Sequence, residues 1–197
     1  MKLVAVLAAS LLSVGAFAQS ATVETSSAGL LGKRYAEAGF GWSDYRHTYI
    51  DGLASGLNVN LPVNANFDAS LGYAYAWFEG DEGIGHSVNA AVTGYLSRGE
   101  NKPYARLGLG YAWLHDWIDS DHGVWSTEVG IERAVNDKVS ATFSVGYADD
   151  FGQHRAGLWD VSVGGTYAFC SKLVGTAEIS YIEYGTVGYA VGLAYRF

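Results

Sequence analysis

Ionisable side chains are sparse in this chain and unevenly placed. Twenty acids stand against twelve lysines and arginines, for a formal net charge of −8, and charged residues make up only 16% of the whole. The densest group with ligand character is Asp116, Asp119, Asp121 and His122. Carboxylate oxygens suit Ca²⁺ or Mg²⁺, and an added imidazole suits Zn²⁺. All four fall in one connecting stretch, His115 to Gly123. A divalent cation at this rim is therefore the one cofactor the chain invites, and no other is expected. The plainer account is that Asp and His collect in connections because neither suits an apolar strand face. All five histidines (His47, His86, His115, His122 and His154) follow that rule. The glycines at Gly108 and Gly110 and from Gly80 to Gly85 form no phosphate-binding loop. The pI of about 4.9 argues against a nucleic-acid partner.

A second set of polar residues is spaced differently. Glu37, Asn58, Asn60, Asp68, Asn89, Arg106, Glu128, Glu132, Asp160, Glu178 and Arg196 alternate with the apolar and aromatic residues of their segments, out of phase with them. Strand side chains alternate between faces, so such residues share a face opposite the apolar one. Buried charges need partners. Pairing the two segments that flank His115 to Gly123 puts Arg106 almost opposite Glu132, with Glu128 one step along the same face. Arg106, Glu128, Glu132, Glu37, Glu178 and Arg196 are the candidate network. Two readings stay open. The network is either a polar plug or the lining of a narrow, cation-preferring path, since carboxylates outnumber cations.

The elements that must position these residues recur regularly. Alternating segments are predicted at Tyr35 to Asp44, Gly52 to Leu61, Phe67 to Phe78, Ser87 to Leu96, Tyr104 to Leu114, Val124 to Val135, Val139 to Ala148, Leu158 to Phe169, Leu173 to Ile182 and Val187 to Phe197. No stretch after the N-terminal twenty residues is apolar enough for a membrane helix, which needs about 20 apolar residues. Each segment has about the 9–11 residues of a tilted membrane strand. In lipid every backbone polar group must be paired internally, so strands span only as a closed barrel. The predicted fold is all-β, an antiparallel up-and-down transmembrane β-barrel of ten strands. Eight is the alternative, at the cost of turning two segments into loop. An even count puts both chain ends on one side.

Residues outside the strand argument sort along the same axis. Lys33, Lys102, Lys138 and Lys172 fall at the end that holds both termini, and all six tryptophans lie toward the other. Phe67, Tyr95, Tyr104, Phe169, Tyr195 and Phe197 are expected to form an aromatic girdle at the terminal end. Both prolines fall in the short turns Pro62 to Asn66 and Ser97 to Pro103.

The two ends of the chain carry export and assembly signals. Lys2, the apolar run Leu3 to Val14 and Ala16-Phe17-Ala18 read as a signal peptide cleaved near Ala18. The domain reading is 1–18 signal peptide, 19–31 periplasmic N-terminal segment and 32–197 barrel. The last strand presents Val187, Tyr189, Val191, Leu193, Tyr195 and Phe197 on one face. An alternating strand ending in Phe resembles the assembly signal of bacterial outer-membrane proteins, with Tyr189, Val191, Leu193, Tyr195 and Phe197 carrying it. The hairpin Gly130 to Tyr147, with its tight Asn-Asp turn, resembles those of small opacity-type, OmpX-type and OmpA-type barrels. This resemblance implies an integral location in a Gram-negative outer membrane. Its partners would be outer-membrane lipid, lipopolysaccharide, periplasmic chaperones and the barrel-assembly machinery.

Families of this kind include membrane-structural proteins, adhesins and small pores. The reading is a non-enzymatic barrel with a membrane-structural or surface-interaction role, and a narrow cation-preferring channel is the alternative. A rim hydrolase is more remote. Omptin-type proteases pair Asp-Asp with Asp-His across the barrel, whereas Asp119, Asp121 and His122 share one loop. Lipid A deacylases carry His-x-Ser on a lipid-facing strand, whereas His86 and Ser87 are adjacent and so face opposite ways. Cys170, the only cysteine, is read as a turn residue.

Overall fold

A computed structural model describes residues 28–45, 50–78, 83–115, 120–151 and 157–197. The signal peptide, Asp116, Asp119 and Trp117 lie outside the described residues. Ten strands follow one another in chain order: β1 Tyr35–Tyr45, β2 Ile50–Asn64, β3 Phe67–Phe78, β4 Ile84–Tyr95, β5 Asn101–His115, β6 Ser120–Asn136, β7 Val139–Asp150, β8 Leu158–Ala168, β9 Leu173–Ile182 and β10 Thr186–Arg196. Each pairs antiparallel with its neighbours, and β10 pairs with β1, which closes the barrel. The ten-strand reading holds and the eight-strand alternative does not.

The pleat explains the two surfaces. Along β3 and β4 burial alternates residue by residue. Phe40, Leu57, Leu71, Leu107, Val129, Val163 and Val191 point outward around the circumference and are well exposed. Soluble monomers rarely expose contiguous apolar patches beyond a few hundred Å². An apolar band around a sheet without edges is a lipid-facing surface. Trp42, Trp77, Trp113, Trp125 and Trp159 sit toward the end away from the termini, as expected.

Three sequence expectations change. The strands reach farther at the end away from the termini, because β4 begins at Ile84, β5 continues to His115 and β6 begins at Ser120. His86, His115 and His122 are thus strand residues, not loop residues. The prolines also lie within strands. Pro62 immediately precedes a register shift in β2, and Pro103 is the third residue of β5. A residue without an N–H is tolerated at bulges and strand starts. Finally, Tyr95 and Tyr104 turn inward and leave the aromatic girdle. Tyr104 is two residues from Arg106 and out of phase with Leu107 and Leu109, so strand parity already placed it inside.

Candidate functional site

The interior is built in two tiers. At the terminal end the chain before β1 enters the barrel mouth. Ala28, Leu30 and Tyr35 pack against Ala168, Val174 and Ala194, while Leu31 packs against Tyr95 and Tyr104. Leu30, Leu31 and Tyr35 are essentially without solvent contact. The segment turns at Gly32, whose φ of 73° suits glycine, with Lys33 N donating to Leu30 O at 3.1 Å. That turn aims Gly32 N at Asp68 Oδ2, 2.7 Å away. Strand side chains hold the rest of the backbone. Asn60 Nδ2 donates to Lys33 O at 2.9 Å, Thr166 Oγ1 to Ala28 O at 3.0 Å, and Arg196 Nη2 to Gly29 O at 2.6 Å. Inward polar residues of β2, β3, β8 and β10 thus satisfy the backbone of a segment that lies outside the ten strands. This stretch of the segment read as periplasmic, Ala28 to Leu31, lies inside the barrel.

Above it runs a charged belt. Lys102 Nζ lies 3.5 Å from Glu132 Oε1, and both side chains are almost fully buried. Arg106 Nη1 lies 3.9 Å from Glu128 Oε2. Tyr104 Oη donates to Glu128 Oε1 at 2.6 Å. The Tyr104 ring crosses β6 over Gly130, where a Cβ would stand 2.5 Å from Cζ. Gly130 is therefore what lets the ring lie over β6 and reach Glu128.

This arrangement corrects the predicted pairing. Arg106 faces Glu128 directly, and Glu132 faces Lys102. The reason is the early start of β6. Shortening the connection to 116–119 moves the hairpin centre toward β5, which slides every partner on β6. Lys102, placed by sequence in a turn, is an inward strand residue.

Toward the other end the lumen holds a polar cavity of about 70 Å³. Its lining includes Asn89, Arg106, Glu128, Asp160, Ser162 and Glu178. Glu37 lies apart from it, buried on β1, with Oε1 accepting from Thr176 Oγ1 at 2.7 Å. The six residues of the candidate network are therefore all on the inner wall but not in one cluster. Glu132 belongs to the belt with Lys102, Arg196 holds the N-terminal segment, Arg106, Glu128 and Glu178 line the cavity, and Glu37 stands apart.

Solved structures place this geometry. The translocator domain of the autotransporter NalP from Neisseria meningitidis superposes with a TM-score of 0.54 at 12% identity, over 100% of this chain and 96% of that one. The fold is that of an outer-membrane β-barrel. The KdgM porin in complex with disordered oligogalacturonate aligns with a TM-score of 0.48 at 9% identity, over 83% of this chain and 99% of that one. Neisserial surface protein A aligns with a TM-score of 0.43 at 15% identity, over 83% and 96%. No family model and no curated protein sequence matches the chain.

The remaining candidates fall at the barrel's ends. His122 lies opposite Ala112 on the inward face of β6, beside Asp121 in the chain. Among the described residues no three His, Cys, Asp or Glu side chains come together as a metal site. On the barrel exterior, Tyr189, Val191, Leu193, Tyr195 and Phe197 all point outward. Tyr189 stacks on Trp42 of β1 with centroids 5.5 Å apart, and Lys172 Nζ lies 5.9 Å from the centre of the Tyr195 ring. Cys170 is exposed in the turn between β8 and β9.

Proposed function

We propose that this chain is a non-enzymatic integral outer-membrane protein with a membrane-structural or surface-interaction role. Both ends of the barrel domain face the periplasm, and the lumen is stopped there by the chain's own N-terminal segment. One observation carries this reading. Ala28 to Lys33 enter the terminal mouth, held by four strand side chains, at the end of the barrel that also holds the buried Lys102–Glu132 pair. A continuous water path would have to displace buried leucines and break hydrogen bonds at several points around the wall. The channel reading draws on the cavity, where carboxylates outnumber cations.

Planar-bilayer recording on the refolded protein separates the two readings. The intact chain should show no steady single-channel steps. Deleting residues 28–33 should produce them, with a preference for cations. Steady conductance from the intact chain would establish the pore and overturn the closed-lumen proposal.

A further inference from the structure

We infer that the cavity on the extracellular side of the belt is a binding site for a small organic diamine. The charge count comes first. Of the three carboxylates lining the cavity, Glu128 is matched by Arg106 and by the Tyr104 hydroxyl. Asp160 and Glu178 have no such cation among the described residues. Both draw on Ser162, whose hydroxyl donates to Asp160 Oδ2 at 3.3 Å and also lies within reach of Glu178. One hydroxyl donates one hydrogen at a time, so one of the two carboxylates always lacks it.

A second observation is independent of the acids. Asn89, on β4, is 5% exposed and lines the same cavity, yet neither its Oδ1 nor its Nδ2 has a protein partner. Buried amides are almost always hydrogen-bonded. An unsatisfied amide and two under-neutralised carboxylates lining one cavity mark a place built for a polar guest. That guest must carry positive charge and donate hydrogen bonds.

Geometry and size narrow the class. Asp160 and Glu178 stand on different strands, and among the described residues no three acidic, His or Cys side chains converge as they would on one metal ion. Asp160 and Glu178 share the Ser162 hydroxyl and so can share one ammonium, whereas Asn89 lines the cavity from β4, so a guest that meets both needs two donor groups joined by a short chain. The cavity, at about 70 Å³, holds roughly five to seven waters at about 10–15 Å³ each. That is the bulk of a short aliphatic diamine rather than of a sugar. One ammonium would sit between Asp160 and Glu178, and the other would donate to Asn89 Oδ1. The inference builds on the closed-lumen reading only in making the cavity a dead end.

Isothermal titration of the folded barrel in neutral detergent with putrescine tests it. One saturable site is expected. Butylamine, with the same chain and one charge, should bind at least ten-fold more weakly. Glu178→Gln and Asn89→Ala should each weaken putrescine about ten-fold or more, as loss of a hydrogen bond to a charged group does. Glu183→Gln, outside the cavity, should leave it unchanged. No saturable heat, equal binding of butylamine, or displacement of putrescine by equimolar Mg²⁺ would each overturn the site. The butylamine comparison uses the unaltered protein, so it stands even if a variant fails to fold. Absence of binding with no conductance overturns the site and leaves the plug intact; conductance with putrescine binding intact refutes the plug alone.

Discussion

Lys102 and Glu132 form the most enclosed ion pair among the described residues, and the order of mutational costs should follow that enclosure. Removing one member of a buried pair strands the other charge and costs about 3–5 kcal/mol. Lys102→Met should therefore lower the unfolding temperature in detergent markedly, read by heat-modifiable mobility. Adding Glu132→Leu should recover most of that loss, because the stranded charge is gone. Arg106→Ala should cost less. The Glu128 side chain is 19% exposed, keeps the Tyr104 hydroxyl and borders a cavity with room for water, so solvent screens it. A larger loss from Arg106→Ala than from Lys102→Met would reverse this assignment. The alternation placed Arg106, Glu128 and Glu132 on one face, but the sequence reading set Arg106 opposite Glu132, where the structure sets it opposite Glu128. The pairing depends on where the β5–β6 connection is centred, and His115 to Gly123 carries no turn signal that fixes it.

The decisive element is β10. It pairs along its length with β1, from Tyr45↔Thr186 to Tyr35↔Arg196, and leaves the sheet without an edge. Past the end of the strand, Phe197 N donates to Arg34 O at 3.2 Å. Phe197 and Phe169 are about equally exposed on the outer face, so each should contribute similarly to lipid contact. If Phe197 is part of a recognised assembly signal, Phe197→Ala should sharply lower the folded fraction in the membrane while Phe169→Ala should not. Equal losses would mean that Phe197 acts only through lipid burial. The strand itself was plain in the sequence, because period-2 alternation persists over its full length. The limits of β4, β5 and β6 were not. Near the far ends the side chains become His, Ser and Asp, which read as loop although the backbone ladder continues through them.

At the scale of the whole molecule, the proposed topology places the 64–67, 96–100, 136–139 and 169–172 turns in the periplasm. Cys170→Ser removes the only thiol. In that background a cysteine in the 79–82 connection, Gly80→Cys, should react with an impermeant reagent on intact cells. Ala65→Cys, exposed in the β2–β3 turn, should react only after the outer membrane is opened. The opposite pattern would invert the barrel and put the segment 28–33 at the cell surface.

Periodicity and the confinement of backbone polar groups made the barrel, the strand number and the lipid face readable from the residues alone. Those properties are local: each strand states its own inner and outer face every second residue. The contents of the lumen are not local. That Leu30 and Leu31 turn back into the mouth, that Lys102 meets Glu132, and that Asn89 shares a cavity with Asp160 and Glu178 depend on strands far apart in sequence being brought across one closed interior. Closure and register decide those meetings, and a register shift of a few residues, invisible in the alternation pattern, redistributes every partner inside.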